Sequence, residues 1–380
     1  MPSPAPQPLP DRKALLANVR LGGSIVVKIG TNALSDKNGR LDQSLISHFA
    51  QQIALLHKAG VRTTLVSSGA IGAGVTELKL PGRPKDLPML QAAASVGQRI
   101  LMDHFAAAFK PHNLPVGQLL ITKYEFEQRA FYLNLRNCIQ ALHRSGCIPI
   151  VNENDTVSVD EIRFGDNDTI AAHVTNLLRA DLLILLTVVD GLLDSSGKTI
   201  PIVEDMDDAS GNVTAEKSSR GTGGMASKLI AAGTVKTAGE PVFIANGKRP
   251  NIITDLLAGA DLGTLIIPAA KRLSARSRWI GLSAKTLGTL TVDDGAARAL
   301  RNNKSLLASG ITALSGEFKK GDPVSILDSA GHTLARGLTN YCHEDLAKIK
   351  GHRTTDFPKL LQLDTYYDEV IHRDNLVLTP

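Results

Sequence analysis

Along the first two-thirds of the chain, short apolar runs rich in β-branched residues alternate with longer stretches of helical period. "SIVVKIG" (24–30) predicts a buried strand, and "DQSLISHFAQQIALLHKAG" (42–60) a helix stopped at Gly60. The order then repeats. "RTTLVSSG" (62–69) and "VGQLLIT" (116–122) read as strands, 131–145 as a helix ended by Gly146, and "CIPIVNEND" (147–155) as another strand. A helix near 168–179, the strand "LLILLT" (182–187), a helix near 224–238 and the strand "PVFIAN" (241–246) complete the series. Strands without a polar face, joined by helices, imply a parallel sheet covered on both sides. The right-handedness of such crossovers makes it doubly wound. The expected fold class is therefore α/β, with a doubly wound, mostly parallel sheet.

The rhythm breaks at 268–285, "PAAKRLSARSRWIGLSAK", where Lys and Arg cluster. Beyond it come short alternating strands, Gly-rich turns and one helix (296–302), the pattern of a small, mostly-β module. The expected division is an extension over 1–20 that is disordered or forms a short helix, an α/β domain over 21–275, a basic linker over 276–284, and the small domain over 285–370.

Composition narrows the function classes. The chain has 380 residues, is 43% hydrophobic and 21% charged, and carries a net charge of +5. That is the make-up of a globular protein, with a mild positive balance suited to an anionic small molecule. No apolar run approaches the length of a membrane span, and the Pro-rich start lacks the apolar segment of a secretory signal. Three cysteines (Cys138, Cys147, Cys342) are too few for a disulfide framework or a zinc site. Cys138 and Cys147, in apolar surroundings, are expected to be small core residues, and the expected location is the cytoplasm.

In a parallel α/β sheet, ligands sit beyond the carboxyl ends of the strands, and the unusual polar residues of this chain fall there. Lys28 lies near the end of the first strand and is followed by "IGTN". Either it reaches solvent from an edge strand, or its buried charge meets a partner. "SSGAIGAG" (67–74) is either a tight strand-to-helix turn or a nest of backbone N–H groups for an anion. "NEND" (152–155) and "FGDND" (164–168) are turn-like compositions, yet two acidic clusters at one sheet edge call for a neutralising cation. "GTGGMASKL" (221–229) brings glycines and Lys228 together without forming the G-x-x-x-x-G-K-[ST] phosphate loop. Two lysines with acidic groups suit phosphoryl transfer, where positioning and cationic stabilisation do most of the catalysis. An Asp between the lysines would hold both ammonium groups in place. The chain has no G-x-G-x-x-G after its first strand, no H-E-x-x-H and no G-x-S-x-G.

The ordered set "VVKIGTNAL", "VSSGAIGAG", "VNENDTV", "FGDND" and "GTGGMASKL" resembles the glutamate 5-kinase family of the amino-acid kinase superfamily. The resemblance spans roughly 24–375, because 285–365 is similar to the PUA module attached to bacterial members. It implies transfer of the γ-phosphoryl of ATP, as its Mg2+ complex, to the side-chain carboxylate of L-glutamate in proline biosynthesis. By the family pattern, Lys28 and Lys228 contact the phosphates and Asp168 orients both lysines. Ser68, Asp155 and Asn167 bind glutamate, while Gly30, Gly69 and Ala70 offer backbone N–H groups near the reacting phosphoryl. Thr187 and Val188 line the nucleotide side, and Thr222, Gly223, Gly224, Met225, Ala226, Ser227 and Lys228 wrap its phosphates. No separate protein-held metal is expected. Feedback inhibition by proline and assembly as a dimer or tetramer are also implied.

The chain departs from the family pattern twice. Val188 stands where an Asp is usual, with Asp190 as a substitute two residues on, and about 20 residues precede the usual start. From residue 285 onward, twelve Lys and Arg face twelve Asp and Glu, so the PUA-like module is net neutral. RNA binding asks for a basic surface, so a structural or regulatory role is expected there. The basic residues Lys271, Arg272, Arg276 and Arg278 argue the other way. Other amino-acid kinases, acting on N-acetylglutamate or aspartate, and an RNA-binding protein with a degenerate kinase domain are the competing readings. The PUA-like tail and the paired acidic motifs count against the first. Retention of both lysines and all the acidic positions counts against the second.

Overall fold

The structure is a computed structural model, and it describes residues 11–20, 22–158, 167–211, 224–363 and 365–379. The chain forms two compact units: one holds residues up to Glu125 together with Leu133–Arg272, and the other holds Phe126–Tyr132 and the chain from Leu273 onward.

The first unit is built on an eight-stranded sheet. Its strands are β1 (Ser24–Ile29), β2 (Arg62–Ser67), β3 (Val116–Ile121), β4 (Ile148–Glu153), β5 (Leu182–Thr187), β6 (Ile202–Val203), β7 (Val242–Asn246) and β8 (Thr264–Ile266), in the order β3-β4-β2-β1-β5-β7-β8-β6. All pairings are parallel except β7 with β8. β1 and β5 are central and almost wholly buried, which is why they read as unbroken apolar runs. Lys28 is thus on an interior strand and 5% exposed, so it does not reach solvent from an edge.

Two long helices cover one face of this sheet. Gln43–Lys58 starts at Asp42, whose carboxylate accepts from the N–H groups of Ser44 and Leu45. Leu87–Phe109 buries Leu101, Phe105 and Phe109 in a core shared with Phe49, Ile53 and the β1 and β5 side chains. The segment ahead of β1 is helical over Arg12–Leu15 and Ala17–Arg20, with Leu16 and Val19 in the same core. Arg12 ties it down, donating to the carbonyls of Ala260, Leu262 and Pro201 beside the ring of Phe243. Residues 1–10 lie outside the described residues. Cys147 is buried as expected, but Cys138 is exposed, on the outward side of the Arg129–Arg144 helix.

The second unit has a five-stranded sheet of β9 (Gly288–Val292), β10 (Ile311–Gly316), β11 (Pro323–Leu327), β12 (Thr333–Leu338) and β13 (Leu376–Leu378), ordered β10-β9-β11-β12-β13. Its own core gathers Leu290, Val292, Ile326, Leu346, Phe357 and Ile371. The Trp279 indole N–H donates to the Phe126 carbonyl, and the Arg129 guanidinium lies over the Trp279 ring. Among the described residues, no helix is long and apolar enough to cross a membrane.

Candidate active site

The carboxyl ends of β1, β2, β4 and β5 bring the sequence motifs together, and those after β1 and β2 turn directly from a strand into a helix. Asp168 stands in the first turn of Asn167–Leu178, and Lys228 in the first turn of Met225–Ala238. A carboxylate is favoured at a helix N-terminus, where unsatisfied N–H groups gather positive potential. Asp168 is completely buried and divides its two oxygens between two lysines. Lys28 Nζ lies 2.6 Å from Oδ1, and Lys228 Nζ lies 3.0 Å from Oδ2. The Ser227 hydroxyl, 3.0 Å from Oδ2, also lies 3.0 Å from the Gly224 carbonyl. Burial alone would push the Asp168 carboxyl up, but the two ammonium groups outweigh it and hold it down at about 2. Lys28, Asp168 and Lys228 are therefore brought together, although 140 and 60 residues separate them in sequence.

Gly30, following β1, sits beside the Lys28 ammonium, so that a Cβ there would lie 3.7 Å from Nζ. "SSGAIGAG" divides its residues between two tasks. Gly69 takes a left-handed conformation (φ +110°) that turns β2 into the helix Ala70–Glu77. Gly74 lets that helix meet Leu87–Phe109 backbone to backbone, since a Cβ on Gly74 would fall 1.8 Å from the Ala93 carbonyl oxygen.

A cleft of about 400 Å³ opens here, lined by Thr31, Asn32, Ser68 to Gly72, Arg83, Asn152, Asp155 and Asn167 among others. The Asn167 amide nitrogen lies 3.0 Å from the Ser67 carbonyl, 2.9 Å from the Ser68 hydroxyl and 3.0 Å from Asn152 Oδ1. Because the Ser67 carbonyl can only accept, the amide is fixed with Nδ2 toward β2. Asn167 Oδ1 is left buried without a hydrogen-bond partner among the described residues. Asn152 donates in turn to Gln98 on the long helix. Ser68, Gly69, Ala70, Asp155 and Asn167 all reach this one cleft.

On the other side of β1, Thr187 ends β5, and Val188 and Val189 follow as exposed apolar side chains. Asp190 accepts from the Asn246 amide at 3.0 Å, at the end of the neighbouring β7. The carboxylate two residues beyond Val188 is thus tied to a strand end. Gly224, Met225, Ala226, Ser227 and Lys228 form the cap and first turn of their helix. Thr222 and Gly223, together with residues 164–166 of the "FGDND" motif, lie outside the described residues. Sequence reasoning passed over Arg83 and Gln98, and it read Asn152 only as part of an acidic turn. Arg83 sits in a Pro-Gly turn whose place in space depends on the glycine contact between two helices.

Comparison with known proteins identifies the family. The model of the amino acid kinase family matches residues 23–246. The chain belongs to the amino acid kinase family. The PUA domain model matches residues 288–361. The chain is 44% identical over 362 residues to a glutamate 5-kinase of Caldanaerobacter subterraneus subsp. tengcongensis, covering 93% of this chain and 97% of that one. It is 40% identical over 378 residues to a glutamate 5-kinase of Geobacter sulfurreducens, covering 97% of this chain and all of the other. Among solved structures, a carbamate kinase from Giardia lamblia bound to AMP-PNP covers 66% of the chain at 18% identity, with a TM-score of 0.48.

Proposed function

We propose that this protein transfers the γ-phosphoryl group of ATP to the side-chain carboxylate of L-glutamate, giving L-glutamyl 5-phosphate, the first step of proline biosynthesis. The observation that carries this reading is the Asp168 carboxylate holding Lys28 and Lys228 on its two oxygens, next to a cleft whose wall includes Asn167. The full-length relatives named glutamate 5-kinase support it.

The chemistry follows from charge. A glutamate side chain is already ionised at pH 7, so the nucleophile needs no general base. Its oxygen attacks the γ-phosphorus, the bond to the β–γ bridging oxygen breaks, and ADP departs with that electron pair. Asp168 cannot serve as the base, because it is held near a pKa of about 2 and both its oxygens face lysines. Its task is to fix two cations that neutralise the phosphoryl oxygens of the transition state. The N–H groups opening the Ala70–Glu77 and Met225–Ala238 helices add partial positive charge from two sides.

In this reading Ser68, Gly69, Ala70, Asp155 and Asn167 hold glutamate, and the backbone of 222–228 wraps the phosphates of ATP. Thr187 and the apolar surface of Val188 face the nucleotide. Mg2+ travels on the nucleotide phosphates, its usual mode in such sites. Inhibition by proline, assembly into a dimer or tetramer, and a cytoplasmic location belong to the same reading.

Hydroxylamine converts an acyl phosphate to a hydroxamate, so ATP-dependent hydroxamate formation tests the reaction. Turnover with L-glutamate and little with N-acetylglutamate or aspartate is expected. No turnover with glutamate, or faster turnover with either alternative, overturns the assignment. Proline added to the same assay, and the mass of the particle in solution, check the two dependent expectations.

A further inference from the structure

We infer that Arg83 reads the α-carboxylate of the acceptor amino acid, and that with Asp155 and Asn167 it decides which carboxylates are phosphorylated. The inference rests on the proposed reaction and names a residue to which that reaction assigns no part.

A count of charges leads to it. An α-amino dicarboxylate brings three charged groups into the cleft. Its side-chain carboxylate must approach Lys28 and Lys228, but these already share the buried Asp168. Its ammonium finds acceptors in the Asp155 carboxylate and in Asn167 Oδ1, the buried oxygen without a partner among the described residues. The α-carboxylate still needs a cation, and Arg83 is the lysine or arginine in the cleft lining. Its guanidinium forms no ion pair or hydrogen bond among the described residues. Arg83 is an exposed residue of this lining; partial desolvation lowers its pKa, while the Asp155 carboxylate pulls it back up, so the two groups are electrostatic neighbours. A guanidinium presents a planar fork that matches a carboxylate in two-point contact.

The turn that carries Arg83 is held in place. It joins Ala70–Glu77 to Leu87–Phe109, two helices in backbone contact at Gly74 and Gly97. Pro84 restricts Arg83 to extended backbone. Asp86 fixes the turn's far end by accepting from the Met89 N–H at the start of the second helix. The backbone that carries the exposed guanidinium is therefore set beside the cleft, and the side chain is left to close on the substrate.

The test compares Arg83→Ala with wild type on two acceptors, L-glutamate and 4-aminobutyrate, which is glutamate without its α-carboxylate. For glutamate, kcat/KM is expected to fall roughly tenfold to a hundredfold, chiefly through KM, as for loss of one charged hydrogen-bonding pair. For 4-aminobutyrate, kcat/KM should stay within about twofold, since the lost partner was never used. If its turnover is too slow to follow, its inhibition constant against glutamate is read instead. Arg83→Lys should recover part of the loss, keeping the charge without the fork. Unchanged kinetics with glutamate in Arg83→Ala overturns the inference, and so does an equal fall for both acceptors. Failure of the wild type to phosphorylate glutamate removes the proposed reaction itself, and the inference with it.

Discussion

Replacing Asp168 by Asn keeps the shape of the side chain and removes its charge, leaving two lysine ammonium groups, 5% and 6% exposed, facing each other. Breaking a buried ion pair by deleting one partner costs about 3–5 kcal/mol, because the remaining charge is stranded out of water. With two cations stranded, the upper part of that range is expected at pH 7. The wild type carries an acid limb. Its Asp168 carboxyl is held at about 2, below its ordinary 3.8, so the stability it contributes is complete above about pH 4 and is lost as pH falls toward 2. That limb amounts to about 2 kcal/mol and should be missing from the variant. Denaturant unfolding at several pH values reads that limb, and the hydroxamate assay should show kcat down by at least ~100-fold. A loss below ~1 kcal/mol that does not change with pH, or a kcat close to wild type, would refute the clamp.

Lys228→Ala should lower kcat far more than it raises KM for glutamate, because its charge acts mainly on the transition state; a change in KM alone contradicts that role. Gly74→Ala drives a methyl into the Ala93 carbonyl, 1.8 Å away, so the two helices must separate. The expected cost is about 3 kcal/mol in unfolding experiments, with a raised KM for glutamate because the Arg83 turn moves with them. His173 is buried near Lys123, and its pKa is lowered to about 4, first by desolvation and then by that lysine. Below pH 6.5 the unfolded chain takes up a proton that the folded one refuses, so stability should fall between pH 6.5 and 4. The fall is on the order of 3 kcal/mol. His173→Gln should flatten that slope in pH-dependent unfolding, and an unchanged slope would assign it to other groups.

Much of the fold was legible because its central strands are buried on both faces. β1, β2, β3, β4, β5 and β7 read as apolar runs, and the helices after them show a clear period or a glycine stop. β6 and β8 were not legible, since two and three residues are too short for any period to show. The 23-residue helix Leu87–Phe109 is rich in Ala and interrupted by Gly97, so small residues chosen for close packing blurred its signal. The same contact made Gly74 look like part of a loop.

The site was legible in kind rather than in geometry. Motif positions at strand ends pointed to one edge of the sheet, and the family resemblance paired Asp168 with two lysines. That the three groups touch, with one lysine per oxygen, depends on β1 and two helix N-termini converging from distant parts of the chain. Arg83 left no trace, because Pro and Gly around it read as ordinary turn chemistry.

The central claim, that a carboxylate attacks phosphorus beside the two-lysine clamp, is tested most directly by following one oxygen atom. L-glutamate labelled with oxygen-18 in its side-chain carboxylate is turned over with unlabelled ATP, and the acyl phosphate is trapped with hydroxylamine. Attack by the carboxylate leaves its oxygen bridging carbon and phosphorus, and hydroxylamine at the carbonyl carbon then expels that oxygen with the phosphate. The account predicts inorganic phosphate carrying one labelled oxygen, seen as an isotope shift in phosphorus NMR, in an amount equal to the hydroxamate. Unlabelled phosphate would mean that water took the phosphoryl group, and would contradict the account.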